Sequence, residues 1–93
     1  MERIIIDIPV EESRELTKLL YENSARRSVL QMLINSERQN EDLINKYMVE
    51  YVEAQTNAEL MRQDILDKYT PEDVRVIRYN VDSIASKLII IKG

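Results

Sequence analysis

The sequence predicts an α+β fold in the order β-α-α-α-β-β, with a long central helix and a small antiparallel sheet. Three observations predict it. Ile44, Tyr47, Tyr51, Ala54, Ala58, Met61 and Ile65 recur at steps of three and four, the spacing that lines one face of an α-helix. Ile4, Ile6 and Ile8 alternate with Arg3, Ile5 and Asp7, a period of two that reads as a strand. The same period returns near the end, with Val74 and Val76 on one side and Ile77, Tyr79 and Val81 on the other, before the run Leu88 to Ile91.

The first strand, residues 3–8, is closed by Pro9. Glu11, Glu12 and Glu15 follow, where the positive end of a helix dipole favours carboxylates. Leu16, Leu19 and Leu20 give that helix its inward face. The pattern falters at Asn23-Ser24. A helix running on would carry Asn23, Arg26 and Arg27 on its apolar side, a cost unless they are paired. A break is therefore expected, with Ser24 capping a second helix that turns Val29, Leu30, Leu33 and Ile34 inward; a single kinked helix is the alternative. Residues 36–40 are wholly polar and connect to the long helix, with Asn40 as its cap. About 30 residues at 1.5 Å each give a rod of roughly 45 Å. Something must lie along it, either the rest of the chain or a second copy.

The long helix is expected to stop near Tyr69, because Pro71 turns Thr70 out of the helical region. Residues 82–86 supply a turn, and the last two segments read as a hairpin. Runs such as Ile4 to Ile6 and Leu88 to Ile91 belong in strands covered on both faces or central in a sheet.

A chain of 93 residues, 44% apolar and 32% charged, is read as one domain, residues 1–93, with a modest core. It has no cysteine and no histidine, and its one glycine is Gly93. Disulfides, thiolate or imidazole metal sites and glycine-rich phosphate loops are thereby excluded. The net charge of −4 opposes non-specific binding to nucleic acid or anionic membrane. Nothing reads as a signal sequence or a membrane span, so a cytoplasmic location is expected.

Glu50 and Glu53 stand about one helical turn apart, but helical di-metal sites pair such carboxylates with histidine, so they read as a solvated face. Arg26-Arg27 reads as a solvated turn. No nucleophile, base and acid assemble into a catalytic group, and neither enzymatic activity, a metal nor a cofactor is expected. Two groupings remain. Arg75, Arg78, Lys87 and Lys92 gather on the hairpin, away from the acid-rich helices; they are the candidate peptide-binding residues, although edge lysines also protect sheets from aggregation. Tyr47, Tyr51, Ala54, Ala58, Met61 and Ile65 form the candidate seam of a homodimer.

Residues 3–36, a strand followed by two helices divided at Asn23-Ser24, resemble the ribbon-helix-helix transcriptional regulators. That resemblance implies paired strands in a DNA major groove, with Arg3, Ile5 and Asp7 outward. A resemblance over most of the chain is to the small CXXX repeat peptide modification system proteins, which accompany radical-SAM enzymes in ribosomal-peptide (RiPP) maturation. It is carried by the acidic start Val10-Glu11-Glu12-Ser13-Arg14-Glu15, Leu16 to Leu20, polar Tyr21-Glu22-Asn23, Val29 to Ile34, a long helix ending Asp67-Lys68-Tyr69, and a terminal hairpin. It implies a non-catalytic accessory protein that binds a precursor peptide, the modifying enzyme or both. A third reading makes the chain itself the precursor, with Ser83 to Gly93 as the modified segment.

Overall fold

A computed structural model describes residues 2–93; Met1, the first residue of the stretch in which no signal sequence is expected, lies outside them. The order is β1 (Glu2–Asp7), α1 (Val10–Ile34), α2 (Glu41–Tyr69), β2 (Val76–Asp82) and β3 (Lys87–Lys92). The class is α+β as expected, with two helices in place of three. The chain divides into two compact units, Met1–Thr17 with Leu60–Gly93, and Lys18–Glu59.

The missing break is the main correction. α1 runs through Asn23-Ser24 without interruption. Continuity turns Asn23 and Arg26 toward the side of Leu30, and the Arg26 charge is met by Glu50 of α2 at 2.6 Å. Arg26 and Arg27 are both exposed, so neither charge is desolvated and the penalty that favoured a break does not arise. Asn23 is only half-buried, and its amide nitrogen has no partner.

The ends of the helices follow local chemistry. Ser13 N–H reaches the Pro9 carbonyl at 3.2 Å, so Pro9 precedes the first turn and sacrifices no internal hydrogen bond. At the far end of α1, the Gln39 amide donates to the Ile34 carbonyl at 2.7 Å. Asn40 caps α2 as expected, its side-chain oxygen accepting the Leu43 N–H at 3.1 Å. The helix ends at Tyr69, where Pro71 follows and its carbonyl accepts the Val74 N–H at 3.2 Å. Val74 thus belongs to a turn, not to a strand.

In the sheet-bearing unit the strand order is β1-β3-β2, antiparallel throughout. Rows of facing residues alternate across it. Ile4, Ile90 and Tyr79 form one row and Ile6, Leu88 and Val81 another, and these rows face the core. Leu16 and Ile65 from the helices join Ile8, Val81, Leu88 and Ile90 there, with Leu16, Leu88 and Ile90 at 0% exposure. Each such side chain contributes about 1.5–3 kcal/mol. A bulge between Val76 and Arg78 inserts Ile77 as an extra residue. Ile77 is therefore exposed rather than sharing a side with Tyr79 and Val81, while Val76 and Tyr79 both pack on the core. A bulge shifts the side-chain alternation by one, and this one accounts for the difference.

The β2–β3 turn is held by Asp82, whose carboxylate accepts the Ile84 and Ala85 N–H groups at 3.1 and 2.9 Å. Ser86 adopts φ 57°, and its hydroxyl lies 2.7 Å from that of buried Ser13. The helical unit, 18–59, is leaner. Among its apolar side chains, only Leu30 and Ala58 are fully buried, whereas Tyr21, Met32, Val49 and Val52 are exposed.

Candidate peptide-docking edge

The strand order sorts the four basic residues of the hairpin into two kinds. β3 is central, with neighbours on both sides, so Lys87 and Lys92 do not stand at an edge. Each lies opposite a carboxylate of β1. Lys87 is ion-paired with Asp7, and Lys92 with Glu2 at 3.0 Å. Such directly opposed opposite charges stabilise a pair of strands by a few tenths of a kcal/mol to about 1 kcal/mol. Arg75 and Arg78 differ from the lysines. Both are exposed, Arg78 lies in edge strand β2 and Arg75 immediately precedes it. Neither has an ion-pair partner among the described residues.

β1 and β2 are the sheet's edges, and an edge strand has one row of backbone N–H and C=O groups facing away from its neighbour. The two edges differ in charge. β1 carries Glu2 and Asp7 against Arg3, whereas the β2 segment carries Arg75 and Arg78 against Asp82. Asp82 caps the turn through one carboxylate oxygen, Oδ1. β2 is accordingly the positive edge of a chain whose net charge is −4. Beside it, Arg78, Asn80, Ile89 and Ile91 border a shallow depression of about 250 Å³.

No family model matches the chain, and no curated protein or solved structure matches it.

The candidate dimer seam is distributed between the two units. In the sheet-bearing unit Ile65 is 2% exposed and Met61 packs against the same core. In the helical unit Ala58 is 3% exposed, Tyr47 and Tyr51 are half-buried, and Ala54 lines a groove with Glu22, Arg26, Glu50, Glu53 and Asn57. Ala58, Met61 and Ile65 are thus covered by their own chain. The apolar stripe that suggested a second copy is in good part used internally.

A second polar cluster lies in the sheet-bearing unit. Glu12, Asp64, Asp67 and Lys68 border a concavity of about 490 Å³ with Met61 and Ile65. Lys68 is ion-paired with Glu12. The ammonium of Lys68, and after it the Tyr69 hydroxyl, holds the Glu12 carboxyl below its ordinary range. The same contact with Glu12 raises both Lys68 and Tyr69. Among the described residues no group of carboxylates is arranged to hold a metal ion, and no helix is long and apolar enough to cross a membrane.

Arg3, Ile5 and Asp7 lie on the outer face of the sheet, outward as the ribbon-helix-helix resemblance implied, but the residues of β3 and β2 that complete that face were not foreseen. Arg3, Ile91 and Arg78 form one row there, Ile5, Ile89 and Asn80 a second, and Asp7, Lys87 and Asp82 a third. Ile5 is 57% exposed, and Ile5, Ile89 and Ile91 lie outside the core cluster. The signal was the consecutive apolar residues of β1 and β3. They imply apolar groups on both faces of the sheet, but not which face the chain itself leaves uncovered.

Proposed function

We propose that this chain is a non-catalytic accessory protein that captures an extended acidic peptide by strand addition at the β2 edge, delivering it to a modifying enzyme. The observation that carries the proposal is an edge strand with Arg78 in it and Arg75 immediately before it, neither ion-paired among the described residues, in a chain of net charge −4. Backbone hydrogen bonds would supply affinity, and Arg75 and Arg78 would select for carboxylates on the ligand. Leaders of ribosomal peptides are often extended and acidic, which joins this edge to the resemblance with peptide modification accessory proteins. A precursor peptide is then the direct ligand, and the modifying enzyme the second partner.

The other readings draw less support. α1 has no turn at Asn23-Ser24, the feature on which the ribbon-helix-helix resemblance rests. Asp7 would also face DNA phosphates from the outward side of β1. Modification of residues 83–93 would act on a segment that includes the central strand, with Leu88 and Ile90 fully buried.

A short synthetic peptide alternating glutamate and valine tests the proposal by fluorescence anisotropy. The parent chain binds it, and Arg75→Glu with Arg78→Glu weakens binding roughly tenfold or more at low salt, with the difference shrinking as salt is added. Equal binding by parent and variant, or none by the parent, rejects the β2 edge.

A further inference from the structure

The outer face of the sheet carries a charge pattern that complements itself. Its end rows differ: one places Arg3 and Arg78 on either side of Ile91, and the other places Asp7 and Asp82 on either side of Lys87. Between them lies the row Ile5, Ile89 and Asn80. Two such faces can meet about a twofold axis in two simple ways. An axis along the strands lays β1 over the partner's β2. Arginine then meets arginine and aspartate meets aspartate, which is repulsive. An axis across the strands, over the middle row, lays each strand on its own copy. Arg3 then meets the second copy's Asp7, Arg78 meets its Asp82, and Ile5 and Ile89 meet their own counterparts at the axis. A twofold contact requires this kind of self-complementarity, because one patch must serve as both partners.

We infer that the chain forms a homodimer by packing these outer faces into a six-stranded sandwich with its twofold axis across the strands. The partner is a second copy of this chain, selected by the opposed Arg3 and Asp7 and the opposed Arg78 and Asp82 around an isoleucine centre. The geometry is free to form. Ile5 is 57% exposed, and the Asp7 side chain is 80% exposed even with Lys87 beside it. Arg3 and Arg78 have no ion-pair partner among the described residues. Aligned sandwiches of this kind bury their facing side chains in a layer about 10 Å thick. The face is small, about 15 Å by 20 Å for three strands of this length, which is below the roughly 800 Å² per partner of a stable interface. The dimer is therefore weak and dependent on concentration, and it leaves both sheet edges open. It does not rest on the peptide reading, since a chain that binds no peptide can still pair this way.

Sedimentation equilibrium over a wide concentration series at low salt tests the inference, with circular dichroism verifying that each variant is folded. The parent shifts from monomer to dimer. Ile5→Lys, a change at an exposed position, stays monomeric throughout. Arg3→Asp and Asp7→Arg each weaken association roughly tenfold, since both remove attraction and add like-charge contacts. An equimolar mixture of those two variants recovers parental association as a heterodimer. The aspartate introduced in one chain then meets the arginine introduced in the other, and the remaining native Asp7 and Arg3 meet each other. A parent that is monomeric at every concentration overturns the inference, as does a dimer that survives Ile5→Lys. So does a mixture no tighter than its components, or an Arg3→Asp variant that associates more tightly, which would place the axis along the strands.

Discussion

Truncating Ile90 and truncating Ile5 should have very different costs, although both are isoleucines in paired strands of the same sheet. Ile90 is 0% exposed and sits between Ile4 and Tyr79 on the core side. Ile5 faces the other way at 57% exposure. Removing a buried isoleucine down to alanine costs about 2–5 kcal/mol, because a cavity is added to the lost transfer energy. A domain of this length has a total stability of roughly 5–14 kcal/mol, so Ile90→Ala removes a large share of it. Ile5→Ala forfeits mainly strand propensity, at most about 1 kcal/mol. With a urea slope of about 1–3 kcal/mol per molar, Ile90→Ala should lower the midpoint by about 1–2 M and Ile5→Ala by a few tenths. The titrations belong at low protein concentration, where no second copy covers Ile5. Equal shifts would mean that the two faces of the sheet have been misassigned.

Two further outcomes follow from single polar groups. Asn23→Leu should stabilise the chain by about 1–2 kcal/mol in urea melts, since Asn23 is half-buried with an amide nitrogen lacking a partner and leucine is the better helix former; a loss of stability would show that Asn23 has a partner the geometry does not reveal. The Glu12, Lys68 and Tyr69 contacts make stability depend on pH at both ends. Glu12 is lowered, so its contribution is present above the ordinary carboxylate range and is lost as pH falls through its folded value. Lys68 and Tyr69 are raised, so theirs is complete below their ordinary values and is lost as pH rises through the folded ones. Glu12→Gln should flatten both limbs of a stability–pH profile, and an unchanged profile would dismiss the contact.

Much of the architecture was legible because it is written in local signals. Pro9, Asn40 and Pro71 punctuate the chain where the elements begin and end, and the periods of two and 3.6 residues identify them. The break expected in α1 is absent because Arg26 and Arg27 remain exposed and Asn23 only half-buried, and no local pattern says how little of a helix face the chain will cover. The bulge at Ile77 escaped for a related reason: it is a property of the register between β2 and β3. The four basic residues of the hairpin looked alike in sequence. Only the strand order, with β3 between its neighbours, separates the paired Lys87 and Lys92 from Arg75 and Arg78. The self-complementary outer face is likewise invisible until the two registers of β3 are combined.

Hydrogen exchange on the peptide-bound chain tests the central claim most directly. With the alternating glutamate–valine peptide bound, backbone amides of Val76–Asp82 that face away from β3 should gain protection. Those of β1, at the opposite edge of the sheet, should be unchanged. Protection confined to the helical groove around Glu50 and Glu53, or to β1, would contradict docking at the β2 edge.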